Sequence, residues 1–423
     1  MSKKPKLIIV GAGFGGIALA KRLKNKPVDV LLLDKNNYHT FQPLLYQVAT
    51  AGLEPGSIAY PIRRILRKFP NIQFRMAEVH AVDTASQKLE TSIGALDYDY
   101  LVIATGSTNN FFSLQSKSQL LMPLKSVPDA INIRSLLLQN LEHALTMPDR
   151  ESKQEAINIA IAGGGPTGLE LAGALAEMKK YVLPKEFPEL DTKRMQIHLF
   201  EASDKLLAHM SKESSTASLK YLKSLGVQVK VATKVKDFDG QKVILDNGNE
   251  FHTNTLIWTA GVKANPIAGL ESTTIVGANR IAVDPYNRVL NYQNIFAIGD
   301  VAAFKDANFP NGLPMLAPVA MQQGKHLAQN ILTALQGLEM QPFIYNNKGT
   351  MATIGRNKAV VDFIKIKFQG TFAWFIWLFV HLMSLVSFRN KLVTLIDWIH
   401  NYVSYDRPHD IIIHKFKRKQ DES

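Results

Sequence analysis

A chain of 423 residues with 46% hydrophobic and 20% charged residues has an ordinary globular composition, long enough for two or three domains with real cores, so disorder is not the default. Its formal net charge of +13 favours anionic partners (nucleic acid, dinucleotides or an anionic membrane face) without choosing among them. There is no cysteine, which excludes disulfides, thiolate metal sites, iron–sulfur clusters and thiol redox chemistry; any redox work must belong to a cofactor.

The basic start MSKKPK leads into Leu7–Val10, an apolar run too short for a signal-peptide core, and the chain is expected to stay on the cytoplasmic side. Lys6 to Val10 reads as a buried parallel strand and Ile17 to Leu23 as a helix. Between them stand Gly11, Gly13 and Gly16 in the spacing G-x-G-x-x-G. The first glycine permits a tight turn, the second lets backbone approach a pyrophosphate, and the third lets the helix pack close with its N-terminus toward the phosphates. The next strand, Val28 to Leu33, ends in Asp34, 18 residues beyond Gly16, near the offset of an acid that binds ribose hydroxyls. Tyr98 to Ser107, YDYLVIATGS, is an apolar strand ending in a small-residue turn at Thr105 and Gly106.

The pattern then repeats. Ile157 to Ala162 is a strand, Gly163, Gly165 and Gly168 follow in the same spacing, and Leu169 to Met178 reads as a helix. A second strand, Met195 to Phe200, ends in Glu201, 33 residues past Gly168 because YVLPKEFPELD inserts a proline-bearing loop. An acid rather than an arginine at that strand end favours a free 2′-hydroxyl, and so NADH over NADPH, although Arg194 and Lys205 lie nearby. Asn254 to Val262, ending at Gly261, matches the earlier Tyr98 to Ser107 and marks an internal duplication. Asn294 to Phe304 is a further strand with Gly299-Asp300 at its end.

From Phe372 to Phe388 the chain is apolar on every side, but these residues make only about 25 Å of helix against a core of roughly 30 Å. Lysines 365 and 367 before it and Arg389 and Lys391 after it give no one-sided charge bias. Spanning the membrane and lying in its interface both stay open. Leu392, Leu395, Ile396, Ile399 and Val403 then recur at helical spacing with Trp398 and Tyr402 flanking them, which suits an interfacial helix over a buried core helix. The basic tail His414 to Lys419 would add attraction to anionic lipid. No nucleic-acid motif accompanies it, and no acid or histidine cluster has metal-ligand spacing, so neither nucleic acid nor a metal is expected.

Two dinucleotide folds, each followed by an Ala-Thr-Gly-like turn, and a late Gly-Asp resemble the flavoprotein reductases with two dinucleotide-binding domains. Phe41 to Arg63 (FQPLLYQVATAGLEPGSIAYPIR), Ala317 to Ile331 (APVAMQQGKHLAQNI), GTMATIGRNKAVV and the aromatic C-terminus further resemble the single-subunit type II NADH:quinone dehydrogenases over nearly the whole chain. That resemblance implies an α/β protein of two Rossmann-like domains, the second inserted in the first, with a C-terminal membrane-associating helical segment. The expected division is 1–110 and 266–345 for FAD, 111–155 as connection, 156–265 for NADH and 346–423 as membrane anchor.

By the same resemblance FAD would meet Gly11, Gly13, Phe14, Gly15, Gly16, Asp34, Lys35, Gln42, Thr105 and Gly106, with Asp300 on its ribityl chain and Ala317, Pro318 and Val319 beside its ring. NADH would meet Gly163, Gly165, Thr167, Gly168, Glu201 and Gly261. Glu170 and Gln322 are the implied catalytic residues, Glu170 near the nicotinamide and flavin and Gln322 as the remaining amide of an Ala-Gln-x-Ala-x-Gln pattern whose first glutamine is replaced by Pro318. Read from the residues alone, Glu170 could equally be a first-turn acid favoured by the helix dipole, and Pro318 an ordinary helix start. The implied activity is transfer of hydride from NADH to FAD and of electrons to a membrane quinone, without proton pumping, by a peripheral, monotopic protein on the cytoplasmic side of the cell inner membrane. A soluble reductase of a ferredoxin-like carrier and a nucleotide-binding membrane scaffold are the rivals. Oligomeric state stays open, a homodimer included.

Overall fold

The computed structural model describes residues 4–306, 309–405, 407 and 409–417. Two positions of the basic tail, Arg418 and Lys419, lie outside them. The chain divides into two compact units, one of residues 1–39, 60–108 and 262–347, the other of residues 40–59, 109–261 and 348–423. Compactness therefore groups residues 40–59 and the C-terminal region with the second nucleotide fold.

The first unit is built on a five-stranded parallel sheet in the order Ile295–Ala297, Tyr100–Ile103, Lys6–Val10, Asp29–Asp34, Ile72–Met76. Apart from the edge strand Ile72–Met76, its strands are nearly continuous apolar runs because both faces are covered: Leu7, Ile9, Val30, Leu32 and Val102 enter one core, and Ile8, Val10, Leu33, Leu101 and Ile103 the other. The chain leaves the first strand into the helix Phe14–Arg22, which lies against the long helix Ala317–Leu335. Gly324 makes that approach possible, since a Cβ there would lie 2.4 Å from the carbonyl oxygen of Gly15.

The second unit repeats the sheet in the order Met122–Pro123, Thr255–Trp258, Ile159–Ala162, Ile197–Phe200, Gln228–Lys230, again all parallel. The helix Pro166–Glu177 follows its glycine turn. The proline-bearing insertion folds as a π turn at Met178–Val182, a short helix at Leu183–Glu186 and a 3-10 turn at Thr192–Arg194. The expected α/β class with two duplicated nucleotide folds is thus what the chain forms. A three-stranded antiparallel sheet, Thr350–Thr353, Ala359–Asp362 and Lys367–Gly370, leads into the two C-terminal helices Thr371–Ser384 and Phe388–Ser404.

The apolar run of residues 372–388 is not one helix. It ends at Ser384, Leu385 turns extended, and Ser387 starts the next helix by accepting the Asn390 N–H on its Oγ at 3.0 Å. Fourteen residues make only about 21 Å of helix. Among the described residues no helix is long and apolar enough to cross a membrane, which removes the spanning alternative for this segment.

Substituting Gly324→Ala should lower stability by about 1–3 kcal/mol through overpacking of the helix pair, read as a drop in thermal midpoint, whereas Gly337→Ala beyond the helix end should act only through its positive φ.

Candidate active site

The two glycine turns are built from the same contacts. In the first, Gly11 has φ +106° and its N–H donates to Leu33 O at 2.7 Å; in the second, Gly163 has φ +111° and donates to Phe200 O at 2.8 Å. Asp34 Oδ2 accepts from Ala12 N at 2.7 Å and Oδ1 from Asn36 N at 2.7 Å. Glu201 does the same with Gly164 N at 2.5 Å and Ser203 N at 2.7 Å. The insertion before Glu201 therefore leaves the acid in the same place at its strand end. Arg194, the cation that clouded cofactor preference, is ion-paired to Asp191 at 3.4 Å.

Both helices begin on a glycine that offers no capping side chain, as a helix start that faces an anionic group does. A Cβ on Gly13 or Gly165 would meet nothing within 4 Å, so space lies open beside both turns. Thr167 and Lys35 are exposed beside their turns. Phe14 packs edge-on to the buried His39, whose Nδ1 reaches Ala12 O at 2.9 Å, while burial lowers the imidazole's pKa. These features fit two dinucleotides.

Around the late acid of the first unit, Asp300 accepts from Ser107 Oγ at 2.5 Å, and Thr105 Oγ1 donates to Asn265 O at 2.6 Å. Gly106 holds φ +68° with open space before it. Gln323, which sequence reasoning passed over, is buried and fixes this corner: its Oε1 accepts the Gly299 N–H at 2.8 Å and its Nε2 donates to Asn287 at 2.7 Å. Its neighbour Gln322 is committed elsewhere, donating to Asn346 O at 2.9 Å and accepting from Asn346 N at 3.0 Å. Ala317, Pro318 and Val319 open the long helix, with Pro318 in its first turn and Val319 buried. Gln42 begins a 3-10 turn of the other unit and is exposed. Gly261 has φ +106°, and a Cβ there would come within 2.9 Å of the Phe112 ring.

Glu170 lies at the fifth position of a helix that starts at Pro166, not in its first turn, so the dipole does not account for it. Glu170 is 7% exposed, and its Oε1 accepts from Thr353 N over a long 3.5 Å. Burial pushes its pKa up to about 8, weakly opposed by the Thr353 N–H and the Trp377 indole. An aromatic wall surrounds this part of the second unit. Tyr46 packs 6.5 Å from Trp377, which stacks on His381 at 4.0 Å and lies 6.0 Å from Trp398. Burial raises the Tyr46 phenol well above its ordinary range and lowers His381 to about 4, so both are neutral at pH 7. Gln47 joins the wall, donating to Tyr46 Oη at 2.9 Å and accepting from Trp398 Nε1 at 2.7 Å. None of these aromatics was singled out as a site residue from sequence; the only hint was their clustering in the Phe41–Arg63 and C-terminal segments.

Residues 5–324 match the family model for pyridine nucleotide-disulphide oxidoreductases, and residues 347–404 that for the NDH2 C-terminal domain. A Mycobacterium tuberculosis protein described as type II NADH:quinone oxidoreductase Ndh is 32% identical over 96% of this chain and 89% of its own length. The internal alternative NAD(P)H-ubiquinone oxidoreductase A1 of Arabidopsis thaliana mitochondria is 30% identical over 95% of this chain and 84% of its own. The structure of NDH2 from Plasmodium falciparum in complex with NADH superposes with a TM-score of 0.88 at 23% identity, covering 96% of this chain and all of that one. The chain belongs to the pyridine nucleotide-disulphide oxidoreductases and, among them, to the type II NADH:quinone oxidoreductases. Its activity is therefore oxidation of NADH with reduction of a quinone, with FAD as the redox cofactor.

Replacing Glu201 by Ala should raise the KM for NADH about tenfold or more with little change for NADPH, because only NADH presents the hydroxyl the carboxylate would bind; steady-state kinetics with both nucleotides check this.

Proposed function

We propose that the first glycine turn holds FAD through Gly11, Gly13, Gly16, Asp34 and Asp300, and that the second holds NADH through Gly163, Gly165, Gly168 and Glu201. Bound there, FAD would take the electron pair from NADH and pass it to the quinone. What the chain itself supplies is positioning, exclusion of water and protons. Reducing a quinone to the quinol takes two electrons and two protons, and Glu170 is the group built to give one. The observation that carries this reading is its burial, with no offsetting cation among the described residues, which keeps the carboxyl protonated at neutral pH only two residues beyond Gly168. The neutral lining of Tyr46, Trp377, His381 and Trp398 suits an uncharged aromatic ring. Gln322, its amide already paired with Asn346, would act through the backbone it holds rather than by touching the quinone.

Membrane attachment is read from the last two helices, which both expose apolar faces, the last of them with its polar side turned inward. The helix Phe388–Ser404 buries Asn390 and Thr394 and exposes Phe388, Leu392, Ile396, Ile399 and Val403; the helix Thr371–Ser384 exposes Phe372, Phe375 and Phe379. Water is a poor solvent for such faces, and a lipid interface a good one. We place the protein as a monotopic enzyme on the cytoplasmic face of the inner membrane, the side on which NADH is available. Delivering quinone from lipid then needs no water-filled path.

Anaerobic mixing of the holoprotein with NADH should bleach the oxidised-flavin absorbance, and a short-chain quinone should restore it; absence of either phase would sink the assignment. Glu170→Gln should slow reoxidation by quinone about 100-fold while flavin reduction by NADH persists. In the wild type the reoxidation rate should be highest below pH 8 and fall above it, as the carboxyl loses the proton it donates, and the Gln variant should lose that limb. Ile396→Glu with Ile399→Glu should release the protein from lipid vesicles with turnover of a water-soluble quinone retained, as sedimentation and kinetics would show.

A further inference from the structure

The strands Ala359–Asp362 and Lys367–Gly370 pair antiparallel with Asp362 opposite Lys367, and the Phe363 N–H closes the turn onto Ile366 O at 3.0 Å. Turns of this kind ordinarily carry Gly, Asn, Asp, Ser or Pro, which supply the backbone freedom and meet water with polar atoms. This one is Phe363-Ile364-Lys365-Ile366. Ile364 is 72% exposed and Ile366 63% exposed. Nothing about closing a turn asks for β-branched apolar side chains at its tip, so folding does not explain them.

The tip is also continuous with the apolar face of the following helix. Phe363 contacts Phe368 at 5.8 Å between ring centroids, and Phe368 contacts Phe372 at 5.5 Å. From Phe372 the exposed row goes on to Phe375 and Phe379. Cations are set into this strip: Lys365 stands exposed between the two isoleucines, and Lys367 is exposed beside them, its Nζ 3.6 Å from Glu213. Apolar tips flanked by lysines match the boundary of an anionic bilayer, where side chains enter the acyl region and ammonium groups stay at the phosphates.

We propose that the hairpin tip, residues 363–367, is a membrane-inserting element in its own right, with Ile364 and Ile366 entering the acyl boundary and Lys365 and Lys367 meeting anionic headgroup phosphates. The proposal rests on the reading of the two C-terminal helices as membrane-bound. It adds a contact point ahead of the first helix, which restrains how that helix lies in the interface. A second copy of this chain is the poorer occupant, because two tips meeting face to face would set lysine against lysine.

The absence of native cysteine permits a direct test. Holoproteins carrying Ile364→Cys or Ile396→Cys are labelled with an environment-sensitive fluorophore and mixed with vesicles of phosphatidylcholine and phosphatidylglycerol, with and without acyl-chain spin labels. The expected result is a blue-shifted emission, quenched by the spin labels, at both positions. Quenching at residue 396 with an aqueous spectrum at residue 364 overturns the hairpin proposal and leaves the helix reading intact. Failure of the protein to sediment with vesicles at all overturns the helix reading and the hairpin with it. A blue shift at residue 364 that depends on protein concentration and needs no lipid points to a second copy and overturns the proposal. Lys365→Gln should weaken partition onto the anionic vesicles about fivefold, leave partition onto pure phosphatidylcholine unchanged, and leave turnover of a water-soluble quinone as it is.

Discussion

Both nucleotide sites depend on one close approach, that of the third glycine of each turn to the carbonyl of the first. A Cβ on Gly16 would lie 1.9 Å from Gly11 O, and one on Gly168 1.9 Å from Gly163 O. No side chain survives that distance, so helix and strand meet as they do only while both positions are glycine. The helices start beside the open space at Gly13 and Gly165. The approach also lets the acid at the next strand end reach back to the turn, Asp34 to Ala12 and Glu201 to Gly164. Two like turns, each with a carboxylate beside it, arise from a single packing constraint used twice.

In the second unit a different logic sets the chemistry. The helix that begins at the second turn carries Glu170 into an interior lined by aromatic rings, and burial keeps it protonated. Part of that interior is walled by the short helix Leu45–Ala49 and the loop after it, whose carbonyls are held by polar side chains from the last helix. Asn390 donates to Gly56, Ser57 and Ala59 carbonyls, Asn401 to Gly52 at 2.9 Å, and Trp398 to Gln47. Beyond that helix Arg407 donates to Thr50 O and to Ala174 O. The polar face of the helix thus fastens that wall, while its apolar face is exposed.

Much of this was legible in the chain. Glycine spacing, β-branched runs and strand-end acids are local patterns tied to backbone geometry, and the duplicated fold with its two glycine turns could be read from them, whereas Asp300 was given its role by the family resemblance. The aromatic chamber was not, because Tyr46, Thr353, Trp377 and Trp398 come from four separate stretches and no periodicity links them. Glu170 was found through resemblance, yet its first-turn placement was wrong, since Pro166 starts the helix a full turn before it. Gln322 was singled out on pattern alone and Gln323 passed over; the hydrogen bonds pair Gln322 with the Asn346 backbone, and Gln323 with the Gly299 N–H and the Asn287 side chain at the corner that carries Asp300.

The sequence by itself determined the class of fold, the two dinucleotide turns, the exclusion of thiol chemistry and the apolar character of the C-terminus, because each follows from the conformational needs or chemical makeup of neighbouring residues. Only the tertiary structure decided that the apolar run breaks at Leu385, that the last helix turns its polar side inward, and that Glu170 is sealed from water. Those outcomes depend on which distant surfaces meet, and burial, unlike a turn or a strand, is a property no short stretch of chain possesses alone.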